Sequence, residues 1–139
     1  MMIVTRLKNH VNEAKGSMSG GVTVLLRGEG FAVFLMSLLA YSEFGGWGIF
    51  AVFFLLPDLS LFGYLAGPRA GAILYNSTHS YVGALLCLAT AAYFTVPWLI
   101  SAGIIWVSHI GFDRALGYGL KYEKGFRHTH LGLIGRPKT

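Results

Sequence analysis

Charge is what this chain lacks most. Only 12% of its 139 residues are charged and only six are acidic, whereas soluble domains usually carry about a quarter charged residues. That shortage, beside a 54% hydrophobic content, excludes an ordinary soluble domain and indicates an integral membrane protein. Cysteine is nearly absent. The single Cys87, inside the apolar run Leu85-Leu86-Cys87-Leu88, rules out a disulfide framework or a paired-cysteine metal site. No Pro/Gly/Ser-rich linker and no internal repeat divides the chain, so one domain is expected. Residues 1–21 lack an apolar segment followed by a small-residue cleavage site, so they do not read as a secretory signal. They are expected to be a mobile cytosolic arm. The net charge of +5 does not point to nucleic acid, because the basic residues gather at the ends and in one turn instead of along an amphipathic face.

What is present is four long apolar stretches, each near the roughly 20 residues needed to cross hydrocarbon. They run from about Val22 to Tyr41, Trp47 to Ala66, Ala70 to Phe94 and Pro97 to Leu116. Ser42-Glu43-Phe44-Gly45-Gly46 and Gly67-Pro68-Arg69 separate the first three, and a proline at 97 suits the first turn of a new helix. The expectation is an all-α, integral membrane four-helix bundle: transmembrane residues 22–118, a basic tail 119–139, and a multi-pass location in the cell membrane. Lys and Arg decide orientation. Arg6, Lys8, Lys15, Arg69, Lys121, Lys124, Arg127, Arg136 and Lys138 share one side, and the opposite turns have none. Both termini are therefore expected to be cytoplasmic, with Trp47 and Trp98 anchoring the far interface.

Six polar residues lie inside the apolar stretches: Glu29, Asp58, Asn76, His79, His109 and Asp113. At about 1.5 Å per residue, Glu29, Asp58, His79 and His109 fall roughly 10–14 Å from the cytosolic boundary. Such groups cost several kcal/mol in lipid unless paired or wetted, so one shared polar site is expected. His109 and Asp113 stand four apart on one helix face, which allows either shared metal ligation or a carboxylate orienting an imidazole. Tyr75 and His79 share a stripe, with Asn76 beside it. Pro57 breaks the second helix and can turn Asp58 inward, with Ser60 and Tyr64 near enough to help satisfy the freed backbone. The glycine-rich tail, with His128-Thr129-His130, is expected to fold back beneath the bundle. Against this stand plainer readings, in which Arg27 and Glu29 pair near the interface and single histidines merely join helices.

Leu56-Pro57-Asp58-Leu59-Ser60, Gly63-Tyr64, Tyr75-Asn76 with His79, His109 through Arg114, Gly117 through Tyr122, and Thr129-His130-Leu131-Gly132 together resemble a family of short bacterial membrane proteins, domain of unknown function 4260. The likeness covers about residues 25–135. It implies a small multi-span membrane protein and brings no activity with it.

The residues themselves yield a reading in which Asp58, His79, His109 and Asp113 are catalytic, and His79, His109, Asp113 and His130 hold a divalent metal such as Zn, Mn or Fe. In it, Tyr75, Asn76, Lys121 and Arg127, with Lys124, contact a lipid or isoprenoid substrate through its anionic head group. Two alternatives stay open: a metal-free proton relay, ligand-binding or transport protein, and a structural membrane scaffold. A homo-oligomer is compatible with each.

Overall fold

The computed structural model describes residues 1–13, 20–123 and 125–134. The described chain is almost entirely helical: α1 (Met2–Glu13), α2 (Gly20–Ser42), α3 (Trp47–Phe54), a 3-10 helix (Leu56–Ala66), α4 (Pro68–His79), α5 (Tyr81–Tyr93) and α6 (Pro97–Leu116). A two-residue hairpin of β1 (His128–Thr129) and β2 (Gly132–Leu133) closes the tail, with His128 opposite Leu133. Three helical stretches are long and apolar enough to cross a membrane: Gly20–Ser42, Trp47–Ala66 and Pro97–Leu116. Many of their large side chains face outward. Leu25, Met36, Leu39, Val52, Leu55, Phe62 and Leu65 are exposed, while the interior holds Ala72, Ala84, Ala91, Ser108 and the two histidines His79 and His109 together with Tyr41, Tyr75, Ile105 and Ile110. A surface of large apolar side chains around an interior that takes small and polar residues is the pattern expected where the solvent is hydrocarbon.

Helix α6 is the hub. Of its spanning window 44% is buried, against 11% for Gly20–Ser42 and 6% for Trp47–Ala66, and it packs against α2, α5 and α3. Pro97 opens it, and Gly117, at φ 93°, ends it. The Gly117 and Tyr118 N–H groups cap the Arg114 and Asp113 carbonyls at 3.0 and 2.8 Å. The close approach of α2 depends on Gly30 and Gly111. A Cβ on Gly30 would stand 2.9 Å from both the Ala115 nitrogen and the Gly111 carbonyl oxygen, and one on Gly111 would stand 2.8 Å from the Gly30 oxygen. Those neighbours are backbone and cannot rotate away.

Two expectations need correction. The stretch from Ala70 to Phe94 is not one helix: Ser80 is extended (φ −95°, ψ 145°) and divides it into α4 of 12 residues and α5 of 13. Its side chain accepts from the Val82 N–H at 3.2 Å, so this serine starts a new helix as an N-cap. Pro57 does more than kink its span. Helix α3 stops at Phe54, and the chain continues as a 3-10 helix with Asp58 in its first turn. Within the N-terminal arm, residues Met2–Glu13 form α1. Lys15, Lys124, Arg136 and Lys138, counted among the basic residues of one side, lie outside the described residues.

Gly30→Ala or Gly111→Ala is expected to cost about 1–3 kcal/mol through forced separation of α2 and α6. Gly28→Ala, with nothing within 4 Å of the added methyl, serves as a neutral control. Thermal unfolding of the purified variants in detergent, followed by loss of monodispersity, reads the difference.

Candidate metal centre

Four side chains from three elements meet at one point. Asp58 comes from the 3-10 helix, His79 from the last residue of α4, and His109 and Asp113 from one face of α6. The Nε2 atoms of His79 and His109 are 3.0 Å apart. Asp58 Oδ1 lies 3.4 Å from each Nε2, and Asp113 Oδ2 lies 3.4 Å from that of His79 and 3.5 Å from that of His109. All four ligating atoms fall within 4.8 Å of one another. A tetrahedron with zinc-like bonds of about 2.0–2.2 Å has edges of about 3.3–3.6 Å, so the four histidine–aspartate separations have the dimensions of a four-coordinate cation site, and the two Nε2 atoms stand slightly closer together than such an edge.

The surroundings orient these atoms. His79 Nδ1 lies 3.0 Å from the Tyr75 carbonyl and 2.8 Å from Thr78 Oγ1. Since a carbonyl only accepts, the proton sits on Nδ1 and Nε2 presents a lone pair to the centre. The Tyr75 ring stacks on the His79 ring at 3.8 Å and 9°. His109 Nδ1 is buried and has no hydrogen-bond partner among the described residues. Phe54 packs edge-on against this ring at 5.1 Å, at the end of an aromatic row running through Phe50 to Tyr41. The histidine side chains are 0% and 2% exposed, Asp113 is 14% exposed and Asp58 is 43% exposed. The cluster is therefore dry on three sides and open at Asp58.

That position follows from the two chain breaks. The Ser80 break leaves the last carbonyls of α4 without helical partners, and α6 supplies them: Trp106 Nε1 donates to Thr78 O at 2.6 Å, and Arg114 Nη2 to His79 O at 2.8 Å. At the other break, Ser60 donates to the Pro57 carbonyl at 2.7 Å, and Thr78 Oγ1 lies 2.9 Å from Ser60 Oγ. Ser60 thus plays its expected part. Tyr64 does not, because its ring lies over Gly71 and against Phe126, and its buried hydroxyl has no hydrogen-bond partner. Sequence reasoning misses Thr78 and Trp106. Their signal is spacing: Trp106 stands three residues before His109, on the same side of α6.

The remaining expected site residues divide. Tyr75 and Lys121 line a cavity of about 330 Å³ with Asp58, Leu61, Asp113, Tyr118 and Phe126. Asn76 faces the tail instead: Nδ2 donates to the Lys121 carbonyl at 2.8 Å, and Oδ1 accepts the Lys121 N–H at 2.7 Å. The tail does fold back, but His130 is not among the four clustered side chains. Burial and the nearby Arg114 charge push its imidazole down toward the neutral form, and Nδ1 accepts the Leu120 N–H at 2.8 Å. Arg127 is exposed, and its Nε donates to the Ile134 carbonyl at 2.7 Å. Glu29 is also elsewhere. It borders a second cavity with Tyr81, Arg114 and His130, while Arg27 donates to the Ala115 carbonyl at 2.9 Å. Two of the six interior polar residues, Glu29 and Asn76, are thus separate from the centre.

The all-helical fold, three membrane-length helices and a buried His/Asp cluster define a membrane-type helical protein with a candidate metal site. Residues 23–134 match Domain of unknown function (DUF4260), and the chain belongs to that family. No curated protein matches it. No solved structure matches it either.

Asn76→Ala is expected to release the tail while leaving the helices folded. Hydrogen exchange should show faster exchange over residues 119–134, above all at Lys121, with α2 and α6 unchanged. Burial also pushes the Lys121 ammonium down to about 8, so the charge opposes folding at neutral pH. Lys121→Met should consequently keep or raise thermal stability at pH 7. The wild type should regain ground between about pH 8 and 10.4, where only its unfolded state stays protonated.

Proposed function

We propose that this chain is a multi-pass cell-membrane metalloenzyme acting on a lipid or isoprenoid substrate with an anionic head group. In this reading the three membrane-length helical stretches are joined by a further crossing made of α4 and α5 together, interrupted at Ser80, and both termini are cytoplasmic. The observation that carries the reading is the convergence of two imidazole nitrogens and two carboxylate oxygens at 3.0–3.5 Å. With the proton of His79 on its far nitrogen, three or four lone pairs point at one centre, and nothing among the described side chains separates them. Two carboxylates and two neutral imidazoles balance a divalent cation in charge. The mixed nitrogen and oxygen set suits Zn, Mn or Fe.

When bound, such a cation supplies Lewis acidity toward a substrate oxygen or a water. The chain's own residues do the rest. His79, His109 and Asp113 hold the centre from the dry side. Asp58, the most exposed of the four, stands at the cavity edge, where its second oxygen can accept a proton from a water. Tyr75 keeps the His79 ring in plane by stacking. Lys121 meets the head group, and the apolar outer surfaces of the helices leave the substrate's hydrocarbon in the bilayer. Reaction by hydrolysis at the head group needs no further group.

A second reading rests on one specific contact: the 3.0 Å separation of the two Nε2 atoms also suits a proton shared between imidazoles, as in a metal-free relay. Metal analysis decides between them. The purified wild type is expected to hold about one divalent ion per chain, with His109→Ala and Asp113→Ala near zero, and chelation should lower its melting temperature. A wild type that is metal-free after growth and after incubation with Zn, Mn and Fe, and indifferent to chelators, would sink the metalloenzyme reading.

A further inference from the structure

We propose that the cavity beside the His/Asp cluster is a phosphate subsite whose fixed cation is Lys121; this rests on the metal reading above. Lys121 is only 4% exposed. Its Nζ donates to the Phe126 carbonyl at 2.9 Å and stands 3.6 Å from the centre of the Phe126 ring and 4.6 Å from that of Tyr75. These partners are all neutral, and among the described residues no carboxylate forms an ion pair with it. One N–H of the ammonium is spent on the carbonyl, which leaves two donors. The cavity it lines also holds Asp58 and Asp113.

Charge accounting favours an anion. A divalent ion cancels Asp58 and Asp113. Lys121 then remains on the cavity wall, nearly buried, while Arg114 donates to the neutral carbonyls of His79 and Tyr118 and borders the neighbouring cavity with Glu29. The loaded cavity therefore keeps the surplus positive charge of Lys121 in a region of low dielectric. A phosphate group balances that charge and offers oxygens for both free Lys121 donors, whereas an uncharged substrate leaves the charge unpaired. The wall is also built in advance. Lys121 is held through its backbone by the two Asn76 hydrogen bonds and by its bridge to Thr129, so its ammonium is placed before any ligand arrives. Leu61 and Phe126 give the same cavity an apolar flank, along which a chain attached to the phosphate can leave. Without the cation the two carboxylates repel an anion, so phosphate binding and metal binding must be positively coupled.

The test uses the full chain in nanodiscs of phosphatidylcholine, with and without Zn, titrated with inorganic phosphate and separately with dioctanoyl phosphatidic acid. Saturable binding to the zinc-loaded protein is expected. It should weaken at least about tenfold without zinc and in Lys121→Gln, with zinc content unchanged and Lys121→Arg restoring much of it. Tighter binding of phosphatidic acid identifies a lipid head group as the source, whereas equal affinities identify free phosphate; both support the subsite. A zinc-loaded protein that ignores both ligands, or binds them equally well as Lys121→Gln, overturns this inference and leaves the metal centre standing. A chain that takes up no metal at all overturns the metalloenzyme reading first, and this inference with it.

Discussion

The register between α4 and α6 is the constraint on which the rest depends. In hydrocarbon a backbone carbonyl without a partner costs several kcal/mol, and the Ser80 break exposes two of them. Trp106 and Arg114 close both from α6, at 2.6 and 2.8 Å. Because His109 and Asp113 lie between those two donors on the same helix, satisfying the backbone also sets the distance from His79 to its partners. The polar centre and the interrupted helix are thus one arrangement: the break brings the end of α4 to α6, and the side chains that heal it frame the cluster.

Packing supports this register at several points. Gly30 and Gly111 let α2 approach α6 to backbone contact. The aromatic row from Tyr41 to Phe54 covers His109 from the other side. The tail reaches the same region through Asn76 and carries Lys121 to the one open flank. Each contact is modest alone. Together they leave the imidazoles few alternatives to facing one another.

Much of this is legible in the sequence, for reasons that differ by element. Helix α6 agrees with the expected fourth stretch at both ends, because a first-turn proline and a terminal glycine are strong local signals. The four clustered residues stand out because ionisable groups persist in apolar surroundings only where they meet a partner or water. Ser80 gives no such signal: a single serine in a span is common, and only its role as an N-cap distinguishes it. Glu29 and Asn76 share the depth of the cluster but not its direction, and depth along a helix says nothing of azimuth when neighbours are unknown. Residue type alone places His130 at the metal, whereas the tail hairpin needs its neutral ring as an acceptor for a backbone N–H. That requirement depends on tertiary contacts which no local pattern records.

The 3-10 stretch after Pro57 has a geometric effect of its own. With three residues per turn, Asp58, Leu61 and Tyr64 stand directly above one another, where an α-helix would rotate each by about 60° from the last. A straight row therefore runs from the cluster at Asp58, past Leu61 on the cavity wall, to Tyr64 against Phe126. The furrow beside the centre owes its direction to the pitch of the backbone as well as to its side chains, so relaxation of this turn to α geometry would swing Leu61 and Tyr64 out of line with Asp58 without altering a residue.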